Sequence, residues 1–326
     1  MDAFNTAMLP ISEAIGKYGF EASRQPDLNG YRPLAGSKGS EEYAEQKRWA
    51  TTDWSSPARN VCTQGGVLVQ FLLDHLCAIG ATIAHSATGP AHAHLTLMRA
   101  IIESAPVAGW LLDPSISLET RLKRSCCYRL DSSDQMQRHT HLKQAKINAT
   151  NERSKTNAYA AVWRWRKTTK PFVSIGGESI PHPKDSFTAS LWGEVIGDLD
   201  KTLWNYLSAS THGTWYALVQ NLELTPHVDL DDTDAAIGGT LIEQSTVTMY
   251  AVVGWRACAN VVDSRARLMG WPMSTELAAA HNAMTGFERS WFEQWRAAGN
   301  RDARLASLST STPHQPHKTS RNGVNH

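Results

Sequence analysis

Val61-Cys-Thr-Gln-Gly-Gly-Val-Leu68-Val-Gln-Phe-Leu72-Leu-Asp-His-Leu76-Cys-Ala-Ile79-Gly-Ala-Thr-Ile83-Ala84 is the stretch on which the fold turns. Its apolar residues at 61, 68, 72, 76, 79 and 83 recur at spacings of three, four and seven, which is one buried face of an α-helix. Gln64, Gln70, Asp74 and His75 interrupt the run. A lipid-facing span needs about 20 residues nearly free of such groups. The window therefore reads as a core helix of a soluble protein. So does 95–112, which holds Arg99 and Glu103. No membrane contact is expected.

Outward from this pair of helices the pattern stays helical. Gly89-Pro90 separates them, Pro106 predicts a kink in the second, and Asp113-Pro114 stops it. Ser115 or Ser117 caps a third helix carrying Leu122, Tyr128, Leu130 and Met136, continued by a polar stretch to about 165. A loop over 170–183 precedes helices at 187–207, 233–268 and 275–298. Few runs alternate with period two and no internal repeat is present. The expected fold is all-α, a multi-helix bundle with an up-and-down core of long helices. Residues 1–58, with a short helix over 1–20 and a loop over 21–58, read as a partly ordered arm. Residues 59–298 read as the bundle domain, and the Ser/Thr/Pro/His/Asn-rich 299–326 as a disordered tail.

Composition narrows the function classes. The 326 residues are 41% hydrophobic and 19% charged, which excludes a wholly disordered chain. A net charge of +1 gives no global field favouring nucleic acid or an anionic membrane. Five cysteines, with no C-x-x-C pair, read as reduced thiols. Met1-Asp2-Ala3-Phe4-Asn5 lacks a basic segment followed by an apolar run, so no secretory signal is expected and the location reads as cytoplasmic.

Three constellations carry possible chemistry. Arg99 and Glu103 lie four apart in a helix that is apolar on all sides, so each needs a partner, and Arg121 or Arg124 of the next helix is a candidate for Glu103. The bland alternative is an ion network between helices. In Ser208-Ala-Ser-Thr-His212-Gly-Thr-Trp215 the imidazole sits after three hydroxyl residues. It is a proton carrier near neutral pH, and Ser208 is four residues before it, so a nucleophile–base pair is one reading. A histidine satisfied by hydroxyls is the other. Finally, 138–170 holds nine Lys/Arg against one acid, Glu152, with aromatics among Trp163-Arg164-Trp165-Arg166-Lys167. Such a stretch can hold phosphates and stack bases, with Arg153, Arg164, Arg166 and Lys167 as contacts. The six acids between 202 and 255 offer it an internal or second-copy partner instead.

Metal-site patterns are weak. His92-x-His94 and His139-x-His141 splay on a helix, and neither H-E-x-x-H nor E-x-x-H is present. No phosphate loop and no G-x-S-x-G occurs. No metal and no cofactor is expected.

The run Leu95-Thr-Leu-Met-Arg99-Ala-Ile-Ile-Glu103-Ser-Ala-Pro-Val-Ala-Gly-Trp110-Leu-Leu-Asp113-Pro114, followed by Arg121-x-x-Arg124 and a later Ser208…His212-Gly213, resembles a group of actinobacterial helical proteins of unknown function. The resemblance covers about 60–260. It implies a helical fold and a shared site built from the two segments, with Arg99, Arg121, Arg124, Trp110 and Trp215 as binding residues, and it implies no known activity. The chain is more distantly similar to HEPN-type helical domains, some of which are metal-independent ribonucleases. Trp204-Asn-Tyr-Leu207 stands where their active pattern has an Arg before the His, so the similarity implies a non-catalytic HEPN-like domain.

Three functions are compatible with these residues. The first is a binding or assembly role built around a buried Arg/Glu/His cluster, in a homo-oligomer that the 12 Trp and the split charge favour. The second is a nuclease or hydrolase using His212, Ser208 and Glu103 with Arg99 and Arg124. The third, less favoured, is nucleic-acid binding through 138–170.

Overall fold

The computed structural model describes residues 3–85, 93–163, 165–167, 173–181 and 244–309. Eight α-helices account for most of them: α1 (Ala3–Leu28), α2 (Lys38–Glu45), α3 (Pro57–His85), α4 (Ala93–Leu112), α5 (Leu118–His139), α6 (Lys143–Ala160), α7 (Gln244–Met269) and α8 (Thr275–Ser309). The protein is mostly helical, as its periodicity predicts.

Three short strands depart from the all-α expectation. β1 (Trp165–Lys167), β2 (Val173–Ile175) and β3 (Glu178–Ser179) form an antiparallel sheet in the order β1-β2-β3. Gly176 and Gly177, both at positive φ (57° and 91°), turn β2 into β3 where a plain loop is expected. Strands of two or three residues are too short to show a period-two pattern. The polar stretch after α5 is also not one helix to 165. It breaks at residues 140–142, and α6 ends at Ala160.

The apolar stripe of α3 does what its spacing requires. Leu72, Leu76, Ile79 and Ile83 are buried against Ile15 and Tyr18 of α1, Ile101 of α4 and Trp255 of α7. The N-terminal segment is therefore part of this cluster. Its helix runs on to Leu28, and Ser12 Oγ donates to Gly80 O across the α1–α3 contact (2.8 Å). By length and composition α3 and α4 are long and apolar enough to cross a membrane, but α3 also presents Arg59, Gln70 and Asp74 on an exposed face. A second cluster joins Leu118, Leu122 and Cys126 of α5 to Tyr159 of α6, Ile175 of β2 and Trp54 before α3. Trp54 stacks on Tyr159 with centroids 4.2 Å apart.

Two of the expected boundaries are resolved by hydrogen bonds. Ser117, not Ser115, caps α5: its hydroxyl accepts from Thr120 N at 3.2 Å. Ser115 instead donates its own backbone N–H to Asp113 Oδ1 (2.9 Å), closing the turn that ends α4. The helix expected over 187–207 and the tail from 310 lie outside the described residues, while α8 itself continues to Ser309.

Candidate functional site

The α4–α5 segment is an arrangement of ion pairs. Arg99 and Glu103 bond each other (Nε to Oε1, 2.7 Å), and the Glu103 side chain is 41% exposed. The expected meeting of Glu103 with Arg121 or Arg124 does not occur, because both arginines have other partners. Arg121 reaches back to α2, where Nε and Nη2 donate to the carboxylate of Glu42 at 3.0 and 3.1 Å. The same guanidinium donates to Leu111 O (2.6 Å) and Asp113 O (2.8 Å). Arg124 donates to Trp110 O (2.7 Å) and Glu178 (2.8 Å) and lies over the Trp110 ring. The last carbonyls of a helix lack partners within it. Here two arginines one turn apart on α5 supply them. Arg121-x-x-Arg124 thus serves as a clamp on the end of α4, and the fully buried Arg121 has its donors taken by protein oxygens.

Asp113 joins the same clamp. Burial alone raises its carboxyl, but the Ser115 hydroxyl and N–H, with Arg124 and Arg121 nearby, outweigh this and leave it below its ordinary value.

His212, Ser208 and Trp215 lie outside the described residues, as does Arg164. The backbones of Arg166 and Lys167 form β1, paired with Ser174 and Val173. Arg153 is engaged within the α5–α6 hairpin by Asp134 and Gln137, and Arg129 by Glu152 (2.6 Å), so part of the basic stretch is neutralised locally. His94 is buried in the core beside Tyr250, with ring centroids 5.0 Å apart.

The cavity with the clearest chemical character lies elsewhere. A pocket of about 370 Å³ opens between α1, α2, α3, the end of α4 and the end of α7. Arg59, Arg265, Tyr31, Tyr43, Cys62 and Thr63 line it, and its lining contains no Asp or Glu. Arg265 is half-buried and lies over the Trp271 ring, 4.9 Å from the centroid. Trp271 is itself fixed, donating Nε1–H to Arg32 O (2.7 Å) and its backbone N–H to Ala266 O (3.0 Å). Gly66 of α3 makes room for the guanidinium: a Cβ there would stand 3.2 Å from Nη2.

Among the described residues neither Arg59 nor Arg265 makes an ion pair. Burial presses the Arg265 guanidinium below its ordinary value, although the nearby Cys62, Tyr31 and Tyr43 act the other way. An arginine stays charged in a protein, so its environment lacks a counter-ion rather than a proton. Burial pushes the Cys62 thiol up to about 11 and the Tyr43 hydroxyl higher than its ordinary value. Both are neutral at pH 7. The pocket thus offers cationic and neutral donors against aromatic walls.

One signal for Arg265 was present in the sequence. It falls four residues after Val261 and four before Met269, on the buried face of α7, where a cation needs a reason. Tyr31, Tyr43 and Arg59 carry no such mark, since only the fold brings them together. Among the described residues no group of three metal-ligating side chains converges. No family of proteins, no curated protein and no solved structure matches this chain.

Proposed function

We propose that the protein has a binding role, taking a small anionic ligand into the pocket between α1, α2, α3 and α7. The observation that carries this reading is Arg265. It is a half-buried cation lying on Trp271, with no acid in the surrounding wall. Withdrawing a charge from water without a counter-ion is costly. Arg121, by contrast, has its carboxylate in place. A ligand anion supplies to Arg265 what Glu42 supplies to Arg121, and Arg59 at the rim adds a second, exposed cation. The volume suits a small molecule.

Calorimetric titration of the full chain with inorganic phosphate and pyrophosphate tests this. Saturable binding that weakens with added salt and is lost in Arg265→Gln is expected. Identical titrations of the parent and Arg265→Gln would overturn it, as would no binding by either anion.

A further inference from the structure

At the rim of the same pocket stands Tyr31, the one non-glycine residue with positive φ (58°) among the described residues. An L-residue with a Cβ pays for that conformation, and Gly or Asn avoids most of the cost. Tyr31 is also 64% exposed, so burial does not repay it. Two bonds fix it nonetheless. Its N–H donates to Pro26 O at 2.9 Å, and its hydroxyl donates to Asp27 on the last turn of α1. The result is a flat ring, held by the Asp27 carboxylate and open to solvent, at the edge of a pocket whose two arginines make no ion pair among the described residues.

Taking the anion-binding reading as its basis, we infer that the ligand is a planar aromatic or heteroaromatic anion of mononucleotide size. Arg59 and Arg265 take its charge, and its ring lies against Tyr31. An exposed aromatic fixed in position loses little freedom when a second ring stacks on it. Stacking of this kind is also indifferent to the ring's substituents. The neutral donors Thr63 and Tyr43 complete the polar wall without adding negative charge.

The test compares paired probes on the full chain: adenosine 5′-monophosphate against ribose 5-phosphate, and phenyl phosphate against inorganic phosphate. Each aromatic probe is expected to bind roughly ten-fold tighter than its partner, the scale of one stacking contact. Tyr31→Gly removes the ring and relieves the backbone. It is expected to abolish that preference, lowering adenosine 5′-monophosphate affinity about ten-fold more than ribose 5-phosphate affinity, and to keep or raise the melting temperature. If the aromatic probes show no advantage, or if the advantage survives in Tyr31→Gly, the ring-stacking inference is overturned while anion binding stands. If none of the four probes binds, the anion-binding reading fails and this inference fails with it.

Discussion

Arg121 of α5 and Glu42 of α2, 79 residues apart in the chain, form an ion pair closed to water, with side chains 0% and 1% exposed. Removing one charge strands the other. Glu42→Gln is expected to destabilise the protein by about 3–5 kcal/mol in urea denaturation. Glu42→Leu combined with Arg121→Met should recover part of the loss seen with Glu42→Leu alone. The remainder reflects the carbonyls of Leu111 and Asp113, which lose their donor. A Glu42→Gln loss well under 1 kcal/mol would show that the pair contributes no stability.

The second arginine of the clamp makes a narrower prediction. Arg124 holds Trp110 O and Glu178 from different nitrogens of one planar group. Lysine keeps the charge but not the fork. Arg124→Lys is therefore expected to cost about 1–2 kcal/mol, the scale of one lost charge-assisted hydrogen bond. An unchanged denaturation midpoint would mean that charge alone is sufficient there.

Gly66→Ala separates the pocket from the fold. Alanine favours a helix interior by about 1 kcal/mol over glycine, so the melting temperature should hold or rise. The new Cβ, 3.2 Å from Arg265 Nη2, makes the guanidinium give by a few tenths of an ångström on the side that faces the pocket. Affinity for pyrophosphate is expected to fall. Equal affinity in both proteins would place the bound anion away from Arg265.

Acid stability should report on His281, whose ring lies between Tyr18 and Trp255. Burial lowers its pKa below the ordinary value of 6.5 and Arg256 lowers it further, against Glu288 and Asp263. The folded state therefore binds fewer protons than the unfolded chain. Its contribution is full above pH ~6.5 and is lost as the pH falls from there towards the lower folded value. His281→Phe keeps a ring in place and removes the titration. Denaturation midpoints of the parent should drop across that window more steeply than those of the variant, and parallel curves would refute this.

The helices were largely legible because their apolar stripes are long. Leu72, Leu76, Ile79 and Ile83 mark α3 without ambiguity. Arg121 was legible in part, since it follows Leu118 by three and precedes Leu122, on the stripe that buries. Its partner was not. Glu42 lies among polar residues, and only the seating of α2 on α3 and α7 brings it to Arg121. The strands escaped notice because β1, β2 and β3 are shorter than any periodic signal. The pocket was illegible for a related reason: Tyr31, Arg59 and Arg265 come from three distant segments, and nothing local to each announces the others.

Glu42 and Tyr43 are consecutive residues of α2, one anchored to α5 and the other facing the cavity. Arg121 of α5, which does not line the cavity, thus holds the neighbour of a residue that does. A substitution on α5 that displaces Arg121 therefore reaches the cavity wall through Glu42, at a distance from the mouth.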